Sequence, residues 1–144
     1  MTKLVIRAAW LGTLLVVVGG CGNKGLHPVH GKVHFPDGTP LTHGRVAINS
    51  VDGIHGASSD PLSPDGSFTL GSFKPDDGVP AGRYTVCITG AVEPPTSEAE
   101  ALGPPKYLIH ERFTDPTKSG LTFEVKPDGD NVLDITVEKP PTKR

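Results

Sequence analysis

Six imidazole and two thiol side chains could bind a transition metal or act as nucleophiles in this 144-residue chain. The chain holds six histidines, and neutral imidazole is a common ligand of zinc and copper. His30 and His34 share one face of a candidate strand, but residues four apart on a strand lie about 13 Å apart. His43 begins the next candidate strand and could face His34 across a hairpin. These three histidines are the candidate Cu or Zn ligands, although Lys32 between the first two opposes cation binding.

Cys21 stands at the end of a segment that has the form of a secretory signal. Lys3 and Arg7 give a basic start, and the uncharged run over residues 8–20 is shorter than the roughly 20 residues that a transmembrane helix needs. The run ends in two glycines, whose small size suits a peptidase cleavage site. Residues 1–20 are therefore predicted to be a signal peptide.

The tetrapeptide Val18-Gly19-Gly20-Cys21 resembles the lipobox of bacterial lipoproteins. The resemblance implies cleavage between Gly20 and Cys21, with diacylglycerol on the Cys21 thiol and acyl chains such as palmitate holding the protein on a membrane. Several acyl chains anchor a protein firmly, whereas a single chain binds only marginally. The expected location is the bacterial cell envelope, and Gly22 favours the outer membrane over the inner one. Residues 21–28 are predicted to be a lipidated tether.

The mature chain predicted in this way is one small, mildly acidic domain. Removal of residues 1–20 deletes two basic residues, so 12 remain against 16 acidic residues and the net charge is −4. Nucleic acid is not expected as a partner, because it would call for a clustered basic patch. About 120 residues suffice for one core but not two. Cys87 is left without a cysteine partner, and we interpret it as a small residue that fills space.

Short alternating runs separated by glycine and proline predict an all-β fold. The chain has 18 glycines and 15 prolines, too many for a helical protein. Each run alternates apolar and polar side chains, which turns one face inward and the other toward solvent, as in antiparallel sheets. About seven strands are expected, among them residues 29–35, 44–50, 67–70, 82–89, 121–125 and 132–137.

A recurring tripeptide, Pro-Asp-Gly, marks the turns between these runs. It occurs at residues 36–38, 64–66 and 127–129, with a near copy at 75–78. Proline presets φ for the first central position, aspartate can accept a hydrogen bond from the backbone ahead, and glycine accepts positive φ. We interpret these turns as hairpin or corner connections.

Residues 91–113 form the longest predicted loop, and it contains two Pro-Pro pairs. Ser97 and Glu100 fit a capping box, which predicts a single helical turn. Loops on rigid β scaffolds often carry binding sites. Tyr107 and Phe113 are therefore the candidate ligand-binding aromatics of this loop. The alternative interpretation is a mobile crossover between two sheets.

The order of the turn and core residues is specific enough to resemble one family. The residues concerned are Val29-x-Gly31-x-Val33, Gly38-x-Pro40-Leu41, Gly44-x-Val46, Asp65-Gly66-x-Phe68 and Pro80-Ala81-Gly82-x-Tyr84-x-Val86. They resemble the carboxypeptidase regulatory-like domain, a transthyretin-like Greek-key β-sandwich of about seven strands. The resemblance implies a sandwich over residues 29–138, followed by a disordered tail at 139–144.

The C-terminal part is similar to small envelope lipoproteins of planctomycete bacteria. The matching residues are Asp115-Pro116-x-x-Ser119-Gly120-Leu121. The Ile-Pro-x-Lys-Tyr motif usual in that group appears here as Ile109-His110-Glu111-Arg112-Phe113. A histidine thus replaces the rigid proline, and a phenylalanine replaces the tyrosine hydroxyl.

These motifs specify a fold and leave the activity open. The sequence holds neither a serine-hydrolase elbow nor a zinc-protease motif, and its end, Pro-Pro-Thr-Lys-Arg, lacks the Tyr-Arg-Gly-Ser of transthyretin-like hydroxyisourate hydrolases. We therefore expect a lipid-anchored, non-enzymatic structural or interaction module without a cofactor, in contact with an envelope protein or glycan. The alternatives are a glycan- or peptide-binding module that uses residues 91–113, and a periplasmic Cu or Zn binder that uses the histidines.

Overall fold

Residues 25–142 are those that the computed structural model describes, and strands dominate them. The signal peptide, the Gly20–Cys21 cleavage site and the lipidated Cys21 lie outside this range and stay predictions. Within it, two short helical segments interrupt nine strands. The elements are β1 (Leu26–His27), β2 (Val29–His34), β3 (Arg45–Ser50), β4 (Gly56–Ser59), β5 (Ser67–Gly71), β6 (Val79–Pro80), β7 (Gly82–Thr89), α1 (Glu98–Ala101), a 3-10 helix (Glu111–Thr114), β8 (Thr122–Val125) and β9 (Asn131–Thr136).

Seven of these strands form a hydrogen-bonded sheet in the order β8-β7-β3-β4-β5-β2-β9. Strands β1 and β6 form a separate two-stranded sheet. The ladders are antiparallel except for the one between β2 and β9. The ladder between β4 and β5 consists of two residue pairs, Ser58 with Gly71 and Ser59 with Leu70. The predicted all-β class is confirmed. Among the residues described, no helix is long and apolar enough to span a membrane.

One apolar core is built from the inward faces of these strands. Tyr84, Val86 and Ile88 of β7 are buried, as their alternation predicts. Cys87 is buried as well, although it occupies the opposite parity. The same core cluster includes side chains of β2, β3, β5, β8 and β9. Burial on both faces of β7 indicates that residues outside the sheet cover this strand, and the 3-10 helix packs against it.

The Pro-Asp-Gly turns have the predicted chemistry. Gly38, Gly66 and Gly129 have φ of 85°, 76° and 104°, which only glycine adopts at little cost. The Asp37 carboxylate accepts a 2.9 Å hydrogen bond from the Thr39 N–H, two residues ahead. The turn at 127–129, however, is not a hairpin, because it joins β8 and β9 at opposite ends of the strand order. It is a corner connection.

Two segments differ from the sequence prediction. The polar stretch at 52–59 contains β4, which pairs with both β3 and β5. The tether predicted over 21–28 is structured at its end, because Leu26–His27 pairs with Val79–Pro80. Residues 139–142 have no regular secondary structure and are exposed.

Candidate functional site

The predicted binding loop is a hairpin-like arm that leaves the end of β7. Val92 forms an antiparallel bridge with Tyr107. On either side of it, Glu93 N–H donates to the Lys106 carbonyl and Leu108 N–H donates to the Ala91 carbonyl, both at 2.9 Å. Pairing of the two ends fixes where residues 94–105 project from the sheet.

Helix α1 is the single helical turn that the capping pattern predicts. The Ser97 hydroxyl accepts a 3.2 Å hydrogen bond from the Glu100 N–H. The reciprocal bond differs from a standard capping box, because the Glu100 carboxylate reaches Thr96 rather than the Ser97 N–H. One carboxylate oxygen accepts from the Thr96 N–H at 2.8 Å and from its hydroxyl at 2.6 Å. Glu100 thus ties the helix to the proline segment before it.

The arm encloses a cleft of about 360 Å³ between its two proline pairs. Pro94 and Pro95 line one part of the cleft, and Pro104 and Pro105 line another. Proline rings are rigid and lack an N–H donor, so these walls have little conformational freedom and few donors. The helical turn α1 lies between the two proline pairs in the chain. Because its walls are rigid, the cleft is pre-formed. We name it the proline cleft.

An ion pair occupies the polar part of the proline cleft. The Lys106 ammonium group contacts the other oxygen of the Glu100 carboxylate. Hydrogen bonds from Lys106, and then from Thr96, lower the pKa of Glu100 to about 2. The hydrogen bond to Glu100 in turn raises the pKa of Lys106. A carboxylate with so low a pKa is a poor general base near neutral pH, so the pair is suited to orienting a bound group rather than to proton transfer.

The two candidate aromatics of the loop occupy different environments. Tyr107 is 50% exposed on the same arm, next to Lys106 in the chain, but it is not among the residues that line the proline cleft. Phe113 is 2% exposed and belongs to the core, so its ring is not open to a ligand as the sequence predicted. The Arg112 guanidinium lies 4.5 Å from the centroid of the Phe113 ring and covers it from solvent.

His110 fixes the local conformation just before Phe113. Its Nδ1 accepts a 3.2 Å hydrogen bond from the Arg112 N–H and so caps the 3-10 helix that carries Phe113. The backbone N–H of His110 donates to the Glu138 carbonyl, while the Arg112 guanidinium pairs with the Glu138 carboxylate at 3.0 Å. His110 is thus a capping residue of this turn.

The candidate metal ligands do not converge. The expected hairpin pairing of His43 with His34 is wrong, because the ladder neighbours of β2 are β5 and β9 rather than β3. His34 Nδ1 lies 3.0 Å from the Phe35 carbonyl oxygen, and His43 Nδ1 lies 2.9 Å from the Thr42 hydroxyl. His30 Nδ1 lies 3.8 Å from an Asp130 carboxylate oxygen. Within residues 25–142, no group of three or more histidine, cysteine, aspartate or glutamate side chains could hold a metal ion.

Cys87 is buried rather than at a surface. Burial raises the pKa of its thiol, and the negative charge of Asp115 adds to this shift. A thiol with a raised pKa holds little thiolate at neutral pH, so it is a weak nucleophile. The structure thus favours the interpretation of Cys87 as a space-filling residue.

The sequence did not predict the ion pair between Glu100 and Lys106. Six residues separate them, which fits no standard helix or strand spacing. The signal available in the sequence was indirect, namely two proline pairs on either side of a capping pattern. Such pairs favour a rigid loop whose ends approach each other.

Comparisons with known proteins leave the family of this chain open. No protein-family model matches it, and no curated protein matches it. Among solved structures, a DUF3823 family protein from Bacteroides ovatus ATCC 8483 is a weak neighbour, with a TM-score of 0.40 and 16% sequence identity. The match covers 78% of this chain and 45% of that chain, so this chain spans less than half of its neighbour's length.

Proposed function

We propose that this protein is a lipid-anchored, non-enzymatic module of the bacterial cell envelope, where it acts as a structural or interaction domain. The lipobox-like residues Val18 to Cys21 supply the anchor. The observation that carries the proposal is the short distance in sequence from Cys21 to the fold. Leu26–His27 already pairs with Val79–Pro80, so the domain begins within five residues of the anchored cysteine.

The fold type that we propose for this module is a transthyretin-like Greek-key sandwich of the carboxypeptidase regulatory-like kind. Two groups of strands, β8-β7-β3-β4 and β5-β2-β9, are linked through the two-pair ladder between β4 and β5. Both groups contribute to one core cluster, which is how two packed sheets bury their inner faces. Membership among the planctomycete envelope lipoproteins rests on the sequence motifs.

Lipidation is tested by metabolic labelling in a bacterial host. Radiolabelled palmitate enters the wild-type protein, and Cys21→Ser abolishes both the label and retention in the membrane fraction. Cys87→Ser is the matched control, because it removes the second of the two cysteines and leaves labelling unchanged. Label that persists in Cys21→Ser contradicts the proposed anchor.

A second candidate function is glycan or peptide binding at the proline cleft. Its support is the combination of rigid proline walls and an ion pair of Glu100 with Lys106 in the cleft, together with a half-exposed Tyr107 on the same arm. Aromatic rings and a few convergent polar groups are typical of sites that bind such ligands. Phe113 takes no part in this candidate site.

The cleft is tested on a glycan array and a peptide array probed with the intact protein. A specific signal that disappears in Tyr107→Ala and in Lys106→Met supports binding at the cleft. Val132→Ala is the control, since Val132 is an exposed apolar residue of β9, outside the loop. A signal that all three variants retain places binding elsewhere on the protein.

A further inference from the structure

Three large apolar side chains project into solvent from two loops. Val51 and Ile54 lie between β3 and β4 and are 70% and 73% exposed, and Phe73 lies after β5 and is 81% exposed. Neither loop contributes them to the core. Singly exposed apolar residues are ordinary, but several at one end of a small domain indicate a surface that contacts something apolar.

The two loops lie at the same end of the sheet as the first described residues. Gly25, His55 and Phe73 line one cleft, and His55 also lines the adjoining cleft together with Val51. We name the surface formed by Val51, Ile54 and Phe73 the apolar tip. The chain thus enters the described fold directly beside the apolar tip.

The proline cleft lies at the opposite end of the molecule. In the ladder between β3 and β7, Ser50 pairs with Tyr84 near the start of β7, while Arg45 pairs with Thr89 at its end. The apolar tip follows Ser50, and the arm that carries the proline cleft follows Thr89. The eight residues of β7 span about 26 Å, which separates the two ends.

Hydrogen bonds fix the loops so that their apolar side chains point away from the domain. The Asp52 carboxylate accepts from the Ser50 hydroxyl at 2.5 Å and from the Ile54 N–H at 3.1 Å. The Asp77 carboxylate accepts from three successive backbone N–H groups, those of Ser72, Phe73 and Lys74. The carboxylates of Asp52 and Asp77 are therefore turned to donors of their own loops, and the apolar side chains remain outside.

The length of chain before Gly25 limits the distance between the apolar tip and the anchor. Cys21 precedes Gly25 by four residues, which can span at most about 14 Å even when fully extended. A domain of this size is roughly 30–35 Å across, so the end that carries Gly25 must lie next to the membrane. Of the two ends of the molecule, this is the one that carries the apolar tip.

We propose that the apolar tip is a membrane-contacting surface, which inserts Val51, Ile54 and Phe73 into the lipid interface and sets the orientation of the domain. This inference rests on the proposed lipid anchor at Cys21. Lys74 and Arg83, which line the two clefts of this end, are placed to meet lipid phosphates. The proline cleft then faces away from the membrane, where an envelope partner can reach it.

The experiment places a tryptophan reporter at each end of the lipidated full-length protein. The one tryptophan of the chain is Trp10, within the predicted signal peptide, so the mature protein has no competing signal. Phe73→Trp probes the apolar tip, and Leu102→Trp is the matched control on the arm, where Leu102 is 84% exposed. Both variants are reconstituted into phosphatidylcholine vesicles with and without lipids brominated near the headgroup.

Bromine quenches tryptophans that reach its depth in the bilayer. We expect quenching of the Phe73→Trp variant to exceed that of the Leu102→Trp variant about threefold, since interfacial groups insert ~5–10 Å into the headgroup boundary. Equal quenching overturns the proposal. A blue-shifted Phe73→Trp emission without bromine quenching also overturns it, because it indicates that protein covers the apolar tip.

Intact mass of the same samples separates this proposal from the anchor on which it rests. Protein that carries the acyl mass but shows equal quenching refutes only the membrane-contacting surface. Protein without that mass refutes the lipid anchor, and with it the orientation derived from the position of Cys21.

Discussion

The Tyr84 hydroxyl donates a 2.9 Å hydrogen bond to the carbonyl oxygen of Pro80, four residues earlier in the chain. Pro80 belongs to β6, which pairs with the first described strand, and Tyr84 belongs to β7 at the centre of the fold. Burial raises the pKa of the phenol, so the hydroxyl stays protonated and remains a donor. The contact connects the start of the domain to its core.

Removal of the Tyr84 side chain is expected to destabilise the domain severely. Tyr84→Ala deletes a ring that is 1% exposed, and such truncations cost about 3–5 kcal/mol. Tyr84→Phe keeps the ring but leaves the Pro80 carbonyl without its donor, at about 1 kcal/mol. Urea denaturation measures both values. An unchanged midpoint in the alanine variant would show that the ring does not contribute to the core.

Two glycines in identical Pro-Asp-Gly tripeptides are expected to differ in their tolerance of alanine. A Cβ at Gly38 meets no atom within 4 Å, so Gly38→Ala costs only the strain of positive φ, about 1–2 kcal/mol. A Cβ at Gly66 would lie 2.4 Å from the Val33 carbonyl oxygen, which adds an overpacking cost of about 1–3 kcal/mol. Equal losses of unfolding free energy in the two variants would contradict this interpretation.

Alternation of side chains made most of the strands predictable. The run at 82–89 matches β7 at both ends because its apolar residues recur at every second position. β4 was not predicted because Gly56–Ser59 consists of glycine, alanine and serine. These residues show no alternation of β-branched or large apolar side chains. Its strand conformation depends on hydrogen bonds to β3 and β5, and these are long-range contacts.

The candidate site was predictable in its location but not in its contacts. The helical turn of the loop follows from Ser97 and Glu100, whose spacing is a local signal. Contact between Glu100 and Lys106 requires the bridge between Val92 and Tyr107, which no local pattern specifies. The burial of Phe113 likewise depends on how the 3-10 helix packs against β7.

The histidines are not expected to form a tight transition-metal site. His30 and His34 lie on one strand about 13 Å apart by strand geometry, and His43 lies outside the ladders of that strand. Calorimetry with Cu²⁺ or Zn²⁺ on the untagged protein is expected to show weak, non-stoichiometric binding. A one-to-one isotherm of nanomolar affinity that disappears in His34→Ala would instead establish the metal-binding alternative.

Cys87 is expected to react slowly with thiol reagents in the folded protein. The Cys21→Ser variant leaves Cys87 as its one thiol, so a disulfide reagent reports on Cys87 alone. Burial raises the pKa of this thiol, which lowers its thiolate fraction at pH 8, and its position in the core blocks access. We expect modification at least about tenfold slower than in urea, because the core must open first. Equal rates in the two states would place Cys87 at an accessible surface.

The ion pair of the proline cleft is expected to persist far into the acid range. Hydrogen bonds from Lys106 and Thr96 lower the pKa of Glu100 from 4.5 to about 2. Because the folded-state pKa lies below the ordinary value, the contribution of Glu100 to stability is complete above pH 4.5 and disappears as the pH falls through about 2. Carboxyl carbon NMR of the wild type should give a Glu100 midpoint near pH 2, and Lys106→Met should shift it upward. Lys118→Met, which removes the partner of Asp115 instead, should leave the Glu100 midpoint in place. A wild-type midpoint at the ordinary value would mean that the pair does not form in solution and that the cleft lacks its fixed polar group.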